Sequence, residues 1–177
     1  MGEFKRNKRE LAYQGTVMKI YRDYVEVNGH QAVWDFFHHN GGAAVIPITS
    51  EGKIIMVRQY RNAIDRYTLE IPAGAFDSEN ETGIECVRRE LEEETGYKAR
   101  TIELLITTRS MVAFSNEKVE IYVAKDLIPS KQHLDDQEDI DLEYYSMDEL
   151  KEKIFNGDIQ DSKTVAALMA YSVKYQV

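Results

Sequence analysis

Alternation dominates the first forty residues. In YQGTVMKIYRDYVEVNGHQAVWDFFHHN, β-branched and aromatic residues flank Asn28-Gly29, a dipeptide suited to the positive-φ positions of a two-residue hairpin turn, so an antiparallel strand pair is predicted there. Farther along, the short apolar runs AAVIPIT, KIIMVRQYR and YTLEIPAG are bounded by turn residues such as SEGK and read as buried or half-buried strands. A helical period sets in over residues 83 to 95. Strand pattern then returns in ARTIELLITT, EKVEIYVAKDL and IDLEYYSM, and the tail from Met147 carries two helical stretches, MDELKEKIF and DSKTVAALMAYSVKYQ, each opened by an acidic or polar cap. This order predicts an α+β fold of the α/β/α sandwich type, with a mixed sheet between helices and an antiparallel strand extension in front. No repeat or Pro/Gly-rich linker divides the chain. The extension is placed at residues 1–40 and the main domain at 41–177.

The helix over residues 83 to 95 is the most informative element. At about 100° per residue, Glu90, Glu93 and Glu94 stand at i, i+3 and i+4 and share one face within a turn, with Ile84, Val87 and Leu91 as an apolar stripe beside them. Carboxylates held at the edge of a core repel one another unless a cation intervenes. Oxygen donors grouped in this way suit Mg²⁺ or Mn²⁺ rather than Zn²⁺. On charge pattern alone, however, ELEEET reads more readily as a solvated helix face.

Composition narrows the chemistry. The chain has 177 residues, 43% hydrophobic and 30% charged, which suits a globular domain with a sizeable core. A net charge of -9 argues against a nucleic-acid backbone as partner and means that a polyanionic small substrate needs cations to offset the charge. Cys86 is the sole cysteine, so neither a disulfide framework nor a thiolate cluster can form, and a reducing cytoplasm fits. The charged start MGEFKRNKRE lacks a signal-peptide core, and no run is long enough to cross a bilayer, so no membrane partner is expected.

The stretch from Gly74 through Glu81 to RELEEETGY closely resembles the signature box of the Nudix hydrolases, G-x5-E-x7-R-E-U-x-E-E-x-G-U. Gly74, Glu81, Arg89, Glu90, Leu91, Glu93, Glu94 and Gly96 take the matching places, with Tyr97 in the last apolar slot. Six residues rather than five separate Gly74 from Glu81. The resemblance implies the Nudix fold, with Glu90, Glu93 and Glu94 holding divalent cations, Mg²⁺ or Mn²⁺, together with the backbone carbonyl of Ala73. Arg89 would orient the carboxylates, and the reaction would be cleavage of a pyrophosphate bond by metal-activated water.

Further segments, VRQYR followed by LEIPAG, then FSNE, and an acidic cluster before the last strand, are similar to the ADP-ribose and nucleoside diphosphate sugar branch of that family. This likeness implies that Arg61 binds substrate phosphates, with Arg58 beside it or else in a surface ion pair, and that Glu70 lies near the substrate's sugar. In LDDQEDIDLEYY it makes Glu138 the base or a metal ligand in a loop that closes on substrate, with Asp136 as runner-up and Glu117 as a weaker third. Trp34 is either core on a strand or a platform for the nucleobase at a homodimer interface built from the amino-terminal strands. His38 and His39 are expected at the solvent or interface. Val112 stands where ADP-ribose enzymes carry a proline, which keeps UDP- and GDP-linked sugars open beside ADP-ribose. A non-hydrolytic nucleotide-sensing domain is the alternative from a different class.

Overall fold

In this computed structural model, residues 2–16, 18–134 and 139–177 are described. The chain divides into two compact units, one formed by residues 1–41 and 109–118, the other by residues 42–108 and 119–177.

The first unit is a three-stranded antiparallel sheet of β1 (Phe4–Gln14), β2 (Lys19–Val27) and β3 (His30–His38), in that spatial order. The β2–β3 hairpin turns at Asn28 and Gly29, whose φ values of 51° and 80° are the left-handed values the turn needs. Strand β1 was not expected from the sequence. Its eleven residues are all exposed, so no in/out alternation marks it. It is a strand because it pairs along β2, from Phe4 opposite Val27 to Gln14 opposite Lys19. Bidentate hydrogen bonds of 2.6 Å from Arg9 to the buried Asp23 lock the register. Segment 109–118 joins this unit through the Phe37 N–H, which donates to the Phe114 carbonyl at 2.7 Å, and through Asn116, which bonds the His39 backbone in both directions.

The second unit contains β4 (Gly42–Pro47), β5 (Ile54–Arg61), β6 (Arg66–Glu70), β7 (Ala73–Ala75), α1 (Gly83–Thr95), β8 (Tyr97–Thr108), β9 (Val119–Pro129), β10 (Ile140–Tyr145), α2 (Met147–Phe155) and α3 (Ser162–Tyr175). Its sheets run β7-β4-β9-β8 and β10-β5-β6. The β4–β9 pair is parallel and the others are antiparallel. Every residue of β4 is buried, because both faces of this strand are covered. Ala44 and Ile46 pack with Ile54, Met56, Ile71, Leu150 and Leu168, on the side of α2 and α3. Ala43 and Val45 pack with Cys86, Val87 and Leu91 of α1. Helices therefore lie on both faces of a mixed sheet, which is the expected α+β sandwich. Among the described residues, no helix is long and apolar enough to cross a membrane.

Candidate active site

Helix α1 starts where the sequence is best equipped to start one. Thr82 is the N-cap, and its hydroxyl and backbone N–H exchange hydrogen bonds with Glu85 in a full capping box. Gly96 ends the helix at φ 69°, its N–H returning to the Glu92 carbonyl at 2.9 Å. The buried face differs from the expected stripe in one place. Ile84 is exposed, and Cys86 takes its position beside Val87 and Leu91. The buried arc is offset from that stripe by a fraction of a turn, which brings Cys86 to the β7 backbone through contacts to the Gly74 and Ala75 carbonyls. Burial, with the Glu90 charge adding to it, pushes the Cys86 thiol up to about 12. It is a packing residue and no nucleophile.

The same offset carries the carboxylates inward. Glu90 and Glu94 are buried at 9% and 3% exposure, and Glu93 is half-buried. The Glu94 carboxylate accepts the Ala73 N–H at 3.0 Å. Glu90 lies flat against β7, where a Cβ added to Gly74 would fall 1.7 Å from its Oε1. Any side chain at position 74 would force that carboxylate to shift from its place.

Arg89 gathers the set. It donates from Nη1 to Glu90 at 2.6 Å and to Glu93 at 3.1 Å, from Nε to Glu81 at 3.2 Å, and from Nη2 to the Ala75 carbonyl at 3.0 Å. Burial disfavours its charge, but the bonds to Glu81, Glu90 and Glu93 more than offset that and raise its pKa. Burial likewise works to raise the Glu81 pKa, and Arg89 with the Asp77 N–H brings it below the usual carboxylate range. Glu81 thus stays tied to Arg89 despite the extra residue in the preceding loop.

Among the described residues, no group of three or more His, Cys, Asp or Glu side chains is arranged to hold a metal ion by itself. Glu90, Glu93 and Glu94 face Arg89 and the β7 backbone instead. A cation of the Mg²⁺ class keeps several waters and takes one or two carboxylates together with substrate phosphates rather than a complete protein cage. A row of hard oxygen donors along one turn, seated in the space left by Gly74, fits that mode of binding.

A second cluster of the same unit surrounds Glu70, which is 3% exposed. Arg61 grips it with two 2.7 Å hydrogen bonds, Thr68 donates at 2.7 Å, and Lys163 donates from the first turn of α3. Burial alone would raise the pKa of Glu70, but Arg61 and Lys163 hold it at about 2. The Glu70 bonds are also the main reason the Arg61 pKa is raised, with Glu94 and Asp161 adding attraction at longer range. These groups border a hollow of about 390 Å³ that also takes in Arg66 and Gln160.

The remaining expected residues are dispersed. Arg58 lies 4.9 Å over the Tyr67 ring. In the first unit, Trp34 is 48% exposed and stacks on Phe4 at 5.7 Å and 18°, so it is not a core residue. It lines an apolar hollow of about 920 Å³ with Phe37, Met111 and Phe114. Glu117 is hydrogen-bonded by Ser110 and lies 3.8 Å from His39, whose Nδ1 accepts the Gly41 N–H at 3.0 Å. His38 packs edge-on against Phe36 and Tyr21. Val112 is 76% exposed. Glu138 and Asp136 fall outside the described residues. Sequence reasoning missed Lys163. The segment DSKTV signalled a helix cap, and nothing in it pointed to a carboxylate 93 positions away.

Residues 38–168 match the family model of the NUDIX domain. The chain is 39% identical over 169 residues to the methanol dehydrogenase activator of Bacillus methanolicus, a match covering 94% of this chain and 91% of the relative. It is 32% identical over 176 residues to the ADP-ribose pyrophosphatase of Bacillus subtilis (strain 168), covering 98% and 92%. Among solved structures, an ADP compounds hydrolase superposes with a TM-score of 0.88 at 20% identity, over 98% of this chain and 95% of the other.

Proposed function

The chain belongs to the NUDIX family as a pyrophosphohydrolase, and from that premise we propose that it hydrolyses the pyrophosphate of nucleoside diphosphate sugars with Mg²⁺ (or Mn²⁺), taking ADP-ribose to AMP and ribose 5-phosphate. The observation that carries this reading is the inward acidic face of α1, organised by Arg89 and fixed on β7 through Ala73 and Gly74. When bound, the divalent ion would supply charge neutralisation at the phosphates and a water of lowered pKa.

In this reading Glu90, Glu93 and Glu94, with the Ala73 carbonyl, hold the ion. Arg89 keeps their oxygens in place and partly neutralises them while the site is empty of substrate. Arg61 receives the phosphates: two of its five N–H donors are spent on Glu70, and the planar fork has others to offer an oxyanion. Arg58 assists at the entrance, Glu70 lies by the sugar, and Trp34 stacks the nucleobase. Glu138 takes the proton from water or serves as a further metal ligand. Loss of the acidic limb of the pH–rate profile in Glu138→Gln, with the Mg²⁺ requirement unchanged, marks the first role, and a raised Mg²⁺ requirement marks the second. The enzyme is proposed to work in the cytoplasm as a homodimer joined through its amino-terminal strands.

A UDP- or GDP-linked sugar is the competing substrate, favoured by Val112 where ADP-ribose enzymes carry proline. The experiment is a panel of ADP-ribose, ADP-glucose, UDP-glucose and GDP-mannose at equal concentration with Mg²⁺, ranked by kcat/KM. A tenfold preference for a UDP- or GDP-sugar overturns the ADP-ribose assignment, and no hydrolysis of any of them overturns the activity. The 39% identity to a methanol dehydrogenase activator favours a second reading, activation of such a dehydrogenase. Assaying a methanol dehydrogenase with and without this protein tests it.

A further inference from the structure

The start of α3 is joined to the Arg61 cluster at two points. Lys163 donates to Glu70, and the backbone N–H of the next residue, Ile71, donates to the fully buried Thr164 hydroxyl at 3.1 Å. Lys163 is itself held by Asp161 at 2.9 Å, and the same Asp161 oxygen caps the helix by accepting the Thr164 N–H at 2.9 Å. A lysine at the second position of a helix gains nothing from the helix dipole, which favours anions at that end. Its placement therefore calls for local partners, and besides the capping Asp161 the partner is the buried Glu70.

The electrostatics explain what the lysine does there. Glu70 is buried, so its negative charge acts at short range with little screening. Were Arg61 its only counter-ion, the guanidinium's charge would be largely cancelled before a substrate arrived. Lys163 bonds Oε2, the oxygen that Arg61 Nη2 also bonds, and so shares the carboxylate.

We propose that Lys163 is a positioning residue for Arg61: by taking part of the Glu70 charge and anchoring α3 to it, Lys163 leaves Arg61 oriented and still cationic toward the substrate's phosphates. This rests on the reading that Arg61 meets those phosphates. Lys163 itself need touch no substrate, and its effect is on binding rather than on the chemical step.

The test is steady-state kinetics of the full chain with Mg²⁺ and the best substrate of the panel, on Lys163→Met, Lys163→Gln, Lys163→Arg, Arg61→Lys and the Arg61→Lys/Lys163→Met double variant. Lys163→Met and Lys163→Gln should raise KM about tenfold with kcat within about twofold, as loss of a charge-assisted bond predicts. Lys163→Arg should recover most of the wild-type KM. In the Arg61→Lys background, Lys163→Met should add little, since coupled residues are not additive. An unchanged KM in Arg61→Lys overturns the phosphate reading and this inference with it. A raised KM in Arg61→Lys with unchanged KM in both Lys163→Met and Lys163→Gln overturns the inference alone. A full tenfold effect of Lys163→Met on top of Arg61→Lys also overturns it, as does a fall in thermal stability with KM and kcat unmoved.

Discussion

Glu94 is nearly inaccessible, and its carboxylate accepts the Ala73 N–H. Glu94→Gln keeps an acceptor of the same shape there while removing the charge, so the fold should survive. Turnover should fall by about 10²-fold or more, the scale seen when a group that stabilises transition-state charge is removed. Circular dichroism and kcat at saturating Mg²⁺ check the two halves, and near-normal Mg²⁺-dependent turnover would sink the assignment. Glu70 sets a different dependence. Its folded-state pKa of about 2 lies below the ordinary 4.5, so its contribution to stability is complete above pH 4.5 and is lost as pH falls toward 2. A shift of that size corresponds to about 3 kcal/mol. Denaturant titrations from pH 6 to pH 2 should show wild type and Glu70→Gln converging at the acid end; a constant gap between them would refute the linkage.

At the scale of elements, α1 was legible from its 3.6-residue period, and the structure adds two local features that agree with it, the Thr82–Glu85 capping box and the left-handed Gly96. Thr82→Ala should therefore cost about 1 kcal/mol of stability by removing the cap. Thermal or urea unfolding measures it, and an unchanged midpoint would show that the helix start is fixed by packing instead. Strand β1 was illegible for the opposite reason, since FKRNKRELAYQ exposes both of its faces and depends on β2 for its conformation. Within the site, the spacing of Glu90, Glu93 and Glu94 could be read from helix geometry. The Gly74 cradle for Glu90 could not, because it depends on how β7 approaches α1. Nor could the clasp on Glu70. Strand register sets Glu70 opposite Val57 and Arg61 opposite Arg66, so the Arg61–Glu70 contact runs diagonally, and Lys163 reaches it from a helix 93 residues farther along.

Considered as a whole, the molecule distributes its polarity unevenly. The chain carries a net charge of -9, yet β1 concentrates Lys5, Arg6, Lys8 and Arg9, and the sheet it edges leaves Phe4, Leu11, Tyr13, Val33 and Trp34 about half exposed. Aromatic and aliphatic side chains in that number on a small three-stranded sheet exceed the scattered exposure usual for a monomer surface. A thin sheet of this kind also gains stability by packing on something. A second copy of the chain satisfies both requirements, because a two-fold interface sets the same patch against itself. Light scattering at micromolar concentration should give twice the 20.5 kDa chain mass. Leu11→Glu with Tyr13→Glu should shift it toward the monomer, since like charges would be brought into the apolar contact. The α1 glutamates and their Arg89 clasp lie in the other unit, so metal binding by that variant, measured by Mn²⁺ titration, should stay intact. A wild-type protein that runs as a clean monomer at these concentrations would refute the dimer while leaving the hydrolytic site untouched.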